Sequence, residues 1–163
     1  MTDHPTTIDE TAPVIADHSI RIAAPLERVW ELHTRIAGWP DWQPDITEAR
    51  VDGPVAPGTT FHWETAGLSI DSTVYAVDAT RHRILWGGPA HGITGIHEWT
   101  FTQDPDGDGD GDGDGTVLVH TRESWAGAPV TADRVHLAAA LDQSLASWLT
   151  ALKRTAEQEH RAG

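Results

Sequence analysis

The chain has no cysteine in its 163 residues. Disulfides, thiolate nucleophiles and Cys-ligated zinc or iron–sulfur centres are therefore excluded. Basic residues are scarce: 11 Lys and Arg stand against 25 Asp and Glu, a formal net charge of −14. A surface of that sign repels phosphate backbones and anionic lipid, so nucleic acid and membranes are poor partners. No apolar run approaches the roughly 18 residues of a membrane span. The start, Met1 to Pro13, is polar and acidic, unlike the basic and then apolar start of a secretion signal. The expected location is the cytoplasm. Catalytic signatures are missing as well. There is no Gly-x-Ser-x-Gly nucleophile elbow, and His97-Glu98 lacks the histidine, four residues on from His97, of a zinc-protease helix. The one glycine-rich stretch is acidic and leads into a strand, which does not indicate a dinucleotide fold. Neither a cofactor nor a metal site is expected.

What the chain does have is tryptophan: eight, against two Phe and one Tyr. Each buried indole removes about 150–250 Å² from water, on the order of 4–6 kcal/mol. Those residues can build a solid core or line a hollow for a flat ligand, and their number alone does not choose. Ten His residues offset much of the negative charge near about pH 5–6, where solubility is expected to be lowest.

At this length one domain is expected. Residues 1–13 read as an arm without fixed structure. A first strand covers 14–23, with Ala16, His18, Ile20 and Ile22 on one face. Pro25 suits a first helical turn, and Leu26, Val29, Trp30 and Ile36 give an apolar stripe for one or two short helices ending near Gly38. Trp39 to Pro44 reads as a tryptophan-bracketed turn. Period-two alternation then predicts strands near 46–52, 59–65, 68–77, 82–87, 93–103 and 116–126. A two-residue turn at Ala66-Gly67 would pair Thr65 with Leu68, Trp63 with Ile70, Phe61 with Ser72 and His62 with Asp71.

Between the last two strands, 104–115 alternates six Asp mainly with Gly. Asp104, Asp106 and Asp108 are spaced like the first ligands of a calcium loop, but Gly115 stands where the bidentate Glu belongs. The segment reads as a flexible, solvated hairpin extension. A long helix follows from a Thr131 N-cap to about Glu157, with 158–163 as a tail. Val135, Ala138, Leu141, Leu145, Leu149, Leu152 and Ala156 form its apolar stripe. Its roughly 27 residues make a rod of about 40 Å, long enough to lie across a sheet. The expected fold is α+β: a curved antiparallel sheet of about seven strands around a long C-terminal helix, with two short helices after the first strand.

Several motifs carry a family resemblance: Ala24-Pro25 with Val29-Trp30, Trp39 with Trp42, Pro57-Gly58-Thr59 before Phe61 and Trp63, and His97-x-Trp99-x-Phe101. Gly115-Thr116 leading through Val117 and Val119 to Glu123, and Gly127 after, complete the set. In this order the chain, over 14–157, resembles the helix-grip, START-like (SRPBCC) superfamily that includes aromatic polyketide cyclases/dehydrases. The resemblance implies a deep, largely apolar cavity between sheet and last helix. Its members bind lipids, hormones, polyketides or quinones, and the cyclases bend and dehydrate poly-β-ketone chains while a few polar side chains move protons.

Polar residues at positions where the pattern demands apolar ones mark candidate chemistry. Ile93, Gly95, His97, Trp99 and Phe101 share one strand face, and Val117, Val119, Thr121, Glu123 and Trp125 share the facing one. His97 and Glu123 are the intruders, and as hairpin neighbours they should lie within about 5–8 Å of each other. Carboxylate beside imidazole, both buried, suits acid–base catalysis of enolisation and dehydration. Asp142, within the apolar stripe of the last helix, is a third intruder. Trp63, Trp86, Trp99 and Trp125 are expected as pocket walls, Trp39 and Trp42 at its mouth, and Phe61, Ser72, Phe101, Thr121 and Leu145 in the lining. Trp30 is expected in the core and Tyr75 exposed. Three readings stay open: a cavity enzyme of the cyclase/dehydratase kind for an aromatic or polycyclic molecule, a non-catalytic carrier, sensor or sequestering resistance protein, and a co-chaperone-like interaction module. The expected partner is a hydrophobic small molecule, and the expected state a monomer or homodimer.

Overall fold

The computed structural model describes residues 4–104 and 115–162. Strand β1 (Val14–Ile22) leads into α1 (Leu26–Thr34), one 3-10 turn (Ile36–Gly38) and α2 (Trp39–Trp42). Strands β2 (Ile46–Val51), β3 (Thr60–Thr65), β4 (Leu68–Asp78), β5 (Arg83–Ala90), β6 (Ile93–Gln103) and β7 (Val117–Ala126) follow. Helices α3 (Ala128–Ala132) and α4 (Arg134–Ala162) end the chain. The seven strands form one curved antiparallel sheet in the order β1-β7-β6-β5-β4-β3-β2, and α4 packs against it chiefly along β1.

Local chemistry sets the strand register. Ala66 and Gly67 both take positive φ, 51° and 78°, the left-handed pair of a two-residue hairpin turn. All four pairings expected there are present, and His62 Nδ1 lies 2.8 Å from Asp71. The same device recurs at His91-Gly92, with φ of 53° and 82°, between β5 and β6. Alternation then sends one set of side chains to the concave face. Trp30, Trp39, Phe61, Trp99 and Phe101 crowd one half of it, plugged from the side by α1 and α2. Val14, Ala16, Val130, Leu141 and Leu145 form a smaller cluster at the other end.

Besides α4 running on to Ala162, through residues expected as a tail after Glu157, the structure departs from the sequence reading in three places. Residues 4–13 lie across the outer face of the sheet. Ile8 is 2% exposed and packs with Leu85 and Ile96, Asp9 N–H donates to Ser124 Oγ, and Arg122 donates to Glu10 and Thr7. Tyr75 does face outward, but this segment half-buries it. The start of the long helix also differs. The separate turn α3 begins at Ala128 with Pro129 in its first turn, and Asp133 breaks the helix with φ −145°. Thr131 therefore donates its hydroxyl to the Gly127 carbonyl and caps nothing in α4. Val130 occupies the core position instead, so Val135 is 87% exposed and Ala138 also faces solvent. Third, the Trp39–Trp42 turn is a helical turn set into the core, not a loop at its edge. Of the Asp/Gly segment, 105–114 lies outside the described residues. Asp104 closes the hairpin base: its N–H donates to the Thr116 carbonyl and its carboxylate accepts from Arg21.

Candidate active site

A cavity of about 710 Å³ lies between the concave face and α4. It opens where the sheet runs short of side chains. Gly87, Gly88, Ala90, Gly95 and Ser72 line it, whereas the other half of the same face is filled by Trp99, Phe101 and Trp39. Bulk cannot be restored easily at Gly87. A Cβ on Gly87 would stand 2.1 Å from the Gly95 carbonyl oxygen, whereas one on Gly95 would meet Glu123 and Trp125 at 3.4 Å, in ordinary contact. Trp63, Trp86, Trp125 and Trp148 supply the aromatic walls, and Gln143, Ser144 and Ser147 of α4 a polar flank. The hairpin tips at Ala66 and His91 lie at the mouth.

The inner wall carries a histidine–carboxyl pair. His97 and Glu123 are register partners, with Nδ1 3.3 Å from Oε1. The hydrogen bonds around them fix the imidazole tautomer. Thr121 Oγ1 donates its proton to the Glu98 carbonyl, which can only accept. At 2.8 Å from His97 Nε2 the hydroxyl therefore accepts, and Nε2 carries the hydrogen. Nδ1 is left with its lone pair toward Glu123. A proton on Oε1 meets an acceptor there, whereas a bare carboxylate meets a lone pair.

Burial pushes the Glu123 carboxyl up to about 8, opposed in part by the Trp125 indole N–H that donates to Oε2 at 2.9 Å. Burial, and then the nearby His33 ring, hold His97 well below the usual imidazole range. At neutral pH the pair is thus an uncharged acid beside an uncharged base. The Glu123 side chain is 15% exposed and that of His97 2%, and both line the cavity.

The expected site residues divide. His97, Glu123, Trp63, Ser72, Trp86 and Trp125 come together around the hollow. Trp39, Trp42, Phe61, Trp99, Phe101, Thr121 and Leu145 are buried without lining it. Trp39 and Trp42 were expected at the mouth, but their indole N–H groups donate to the His33 and Leu32 carbonyls, which turns both rings into the core. Thr121 is buried behind His97, with its hydroxyl 2.8 Å from Nε2. Asp142 is a correction: its side chain is 65% exposed and meets His18 at 2.5 Å on the outside of α4.

Trp148, Gln43, Asp45, Gln143, Ser144 and Ser147 line the cavity without having been singled out. Trp148 follows Leu145 by three residues, so the helical stripe contained the signal. His33 was also missed. It is fully buried, accepts from Trp86 Nε1 at 3.4 Å, and burial lowers it to about 3. It sits four residues after Val29 on the apolar stripe of α1, the pattern that singled out His97. Among the described residues, Glu48, His62 and Glu64 place possible metal-ligand atoms within 4.8 Å of one another. His62 there already lies between the Asp71 and Glu64 carboxylates, whose hydrogen bonds raise its pKa.

The family model described as "Polyketide cyclase / dehydrase and lipid transport" matches residues 13–157. No curated protein sequence matches the chain. Solved structures share its fold at low identity. A hypothetical protein from Helicobacter pylori has a TM-score of 0.76 at 17% identity, over 96% of this chain and 99% of that one. A START superfamily protein from Mycobacterium smegmatis gives 0.69 at 12% identity, over 88% and 97%. The di-domain ARO/CYC StfQ of the steffimycin biosynthetic pathway gives 0.64 at 18% identity, over 90% of this chain and 46% of that one. Among the described residues no helix is long and apolar enough to cross a membrane.

Proposed function

Because the chain belongs to the polyketide cyclase/dehydrase and lipid-transport family, we propose that it takes an aromatic or polycyclic carbonyl compound into its cavity and catalyses enolisation or dehydration there. The observation that carries this reading is the His97–Glu123 pair on the cavity wall, with Nδ1 3.3 Å from Oε1. Enolisation moves a proton from carbon to a base while the carbonyl oxygen gains one. Glu123 supplies the oxygen's proton and His97 Nδ1 receives the carbon's. The pair then returns to its starting state by passing a proton from Nδ1 to the carboxylate across 3.3 Å. No net charge is created in the dry interior at either end of the cycle. Thr121 holds the imidazole so that Nδ1, not Nε2, faces the reacting group.

The carrier reading is the second, favoured by the four indole walls, which bind without reacting. The interaction-module reading requires a filled interior, and a hollow of about 710 Å³ counts against it.

Two measurements separate these readings. N-phenyl-1-naphthylamine tests the cavity through quenching of tryptophan fluorescence. Hydrogen–deuterium exchange at the α-carbons of 2-tetralone in D₂O, followed by NMR, tests the dyad. The protein should accelerate exchange over buffer, and Glu123→Gln or His97→Ala should remove about 10²–10⁴-fold of that acceleration while the naphthylamine still binds. Exchange no faster than in buffer, with the probe bound, leaves the carrier.

A further inference from the structure

We propose that the cavity's ligand is an organic cation, an aromatic compound carrying a protonated amine that sits against Glu123 and the indole walls. This rests on the reading of the hollow as the ligand site and not on the enolisation step, because with an ammonium against it Glu123 is a carboxylate and gives no proton to a carbonyl. It goes further in fixing the sign of the ligand's charge.

The first observation is an absence in the lining. Among the described residues that line the cavity there is no Lys and no Arg. The ionisable side chains there are Asp45, His91, His97 and Glu123. Asp45, at the exposed rim, is fixed by Ser147 of α4, whose hydroxyl donates to Oδ2 at 2.7 Å. His91 at the mouth donates to the Ser69 carbonyl. His97 is 1% exposed among indoles and commits its one N–H to Thr121. A carboxylate, sulfonate or phosphate entering this space would lose its water, find no cation and approach two carboxyl groups. Burying an unpaired charge in that way is strongly unfavourable.

The second observation concerns the missing partner of Glu123. Its carboxyl receives one N–H, from Trp125, and faces a lone pair on its other oxygen. Among the described residues no Lys or Arg approaches it, and it is the carboxyl that burial holds in its acid form. An ammonium placed there favours the ionised carboxylate, which gives its proton to solvent as the cation binds, and so supplies the counter-charge that the chain itself omits.

The third observation is the arrangement of the walls. Trp63 and Trp86 stand at 88° with centroids 5.7 Å apart, and Trp148 is inclined to them at 65° and 55°. Differently inclined indole faces bordering one space are what an organic cation prefers, because each face is the negative pole of the ring quadrupole. The net charge of −14 adds a field that draws cations toward the mouth.

The test uses three ligands of nearly one shape: 2-naphthylmethylamine, 2-naphthylmethanol and 2-naphthoate. Affinities are measured by tryptophan quenching at pH 7 with wild type and Glu123→Gln. The amine should bind wild type at least about tenfold more tightly than the alcohol, as cation–π contacts and one ion pair imply, and naphthoate most weakly. In Glu123→Gln the amine's advantage should fall to about that of the alcohol, while the alcohol keeps its affinity within about threefold. An alcohol that matches the amine on wild type, a preference for naphthoate, or an amine advantage that survives Glu123→Gln overturns the inference and leaves the cavity reading standing. Failure of all three ligands to bind removes the cavity reading, and this inference with it.

Discussion

Replacing Glu123 with glutamine should leave the protein about as stable as wild type in acid and make it more stable in alkali. The amide resembles the protonated acid. Its NH₂ can face the His97 Nδ1 lone pair, and its carbonyl can accept the Trp125 N–H that now reaches Oε2 at 2.9 Å. In the unfolded wild-type chain the carboxyl loses its proton near its ordinary value of 4.5, whereas in the fold it keeps it to about 8. The native state therefore holds the extra proton, and stability from this group falls as pH climbs between those values. At about 1.4 kcal/mol per pH unit, the full loss is roughly 4–5 kcal/mol. Glutamine has no proton to lose. Urea melts at pH 5 and pH 9 should give variants within about 1 kcal/mol of each other in acid and apart by up to roughly 4–5 kcal/mol in alkali. For a chain of this size that gap amounts to about 10 °C or more in Tm. A difference that does not change with pH, or a glutamine variant less stable at pH 9, would refute the burial of an unpaired carboxyl at this position.

His33 predicts the opposite limb. Burial lowers it from 6.5 to about 3, so the unfolded chain binds a proton that the native state refuses, and stability present above 6.5 is lost as pH falls toward 3. His33→Phe should flatten that acid limb by up to roughly 4–5 kcal/mol while costing about 1–2 kcal/mol at neutral pH, where Trp86 N–H loses its acceptor; parallel limbs for variant and wild type would count against it. Ile8→Ala should cost about 2–4 kcal/mol in urea melts, because the side chain is 2% exposed between Leu85 and Ile96. A cost below about 0.5 kcal/mol would mean that the N-terminal segment does not hold to the sheet.

Period, turn chemistry and hairpin register could be read directly from the chain, because each is settled within a few residues. Ala66-Gly67 fixed the β3–β4 pairing, and alternation placed His97 and Glu123 on one face of adjacent strands, which the observed register bears out. Once two strands are adjacent, facing residues follow from the pleat. What no local rule could supply was the division of the concave face into a filled half and an empty half. Trp99 and Trp125 have the same strand parity as their neighbours, yet one is sealed in the core and the other borders the hollow. That outcome depends on α1 and α2 plugging one end and on glycines at 87, 88 and 95 leaving room at the other. The N-terminal segment also escaped local reading. Its polar composition offers no period, and only the outer apolar patch of Leu85, Ile96 and Tyr75 gives Ile8 a place to be buried. The direction of the Thr121 hydroxyl, and with it the nitrogen of His97 that holds the proton, belongs to the assembled sheet. It is set by a carbonyl on the neighbouring strand, 23 residues away in the chain.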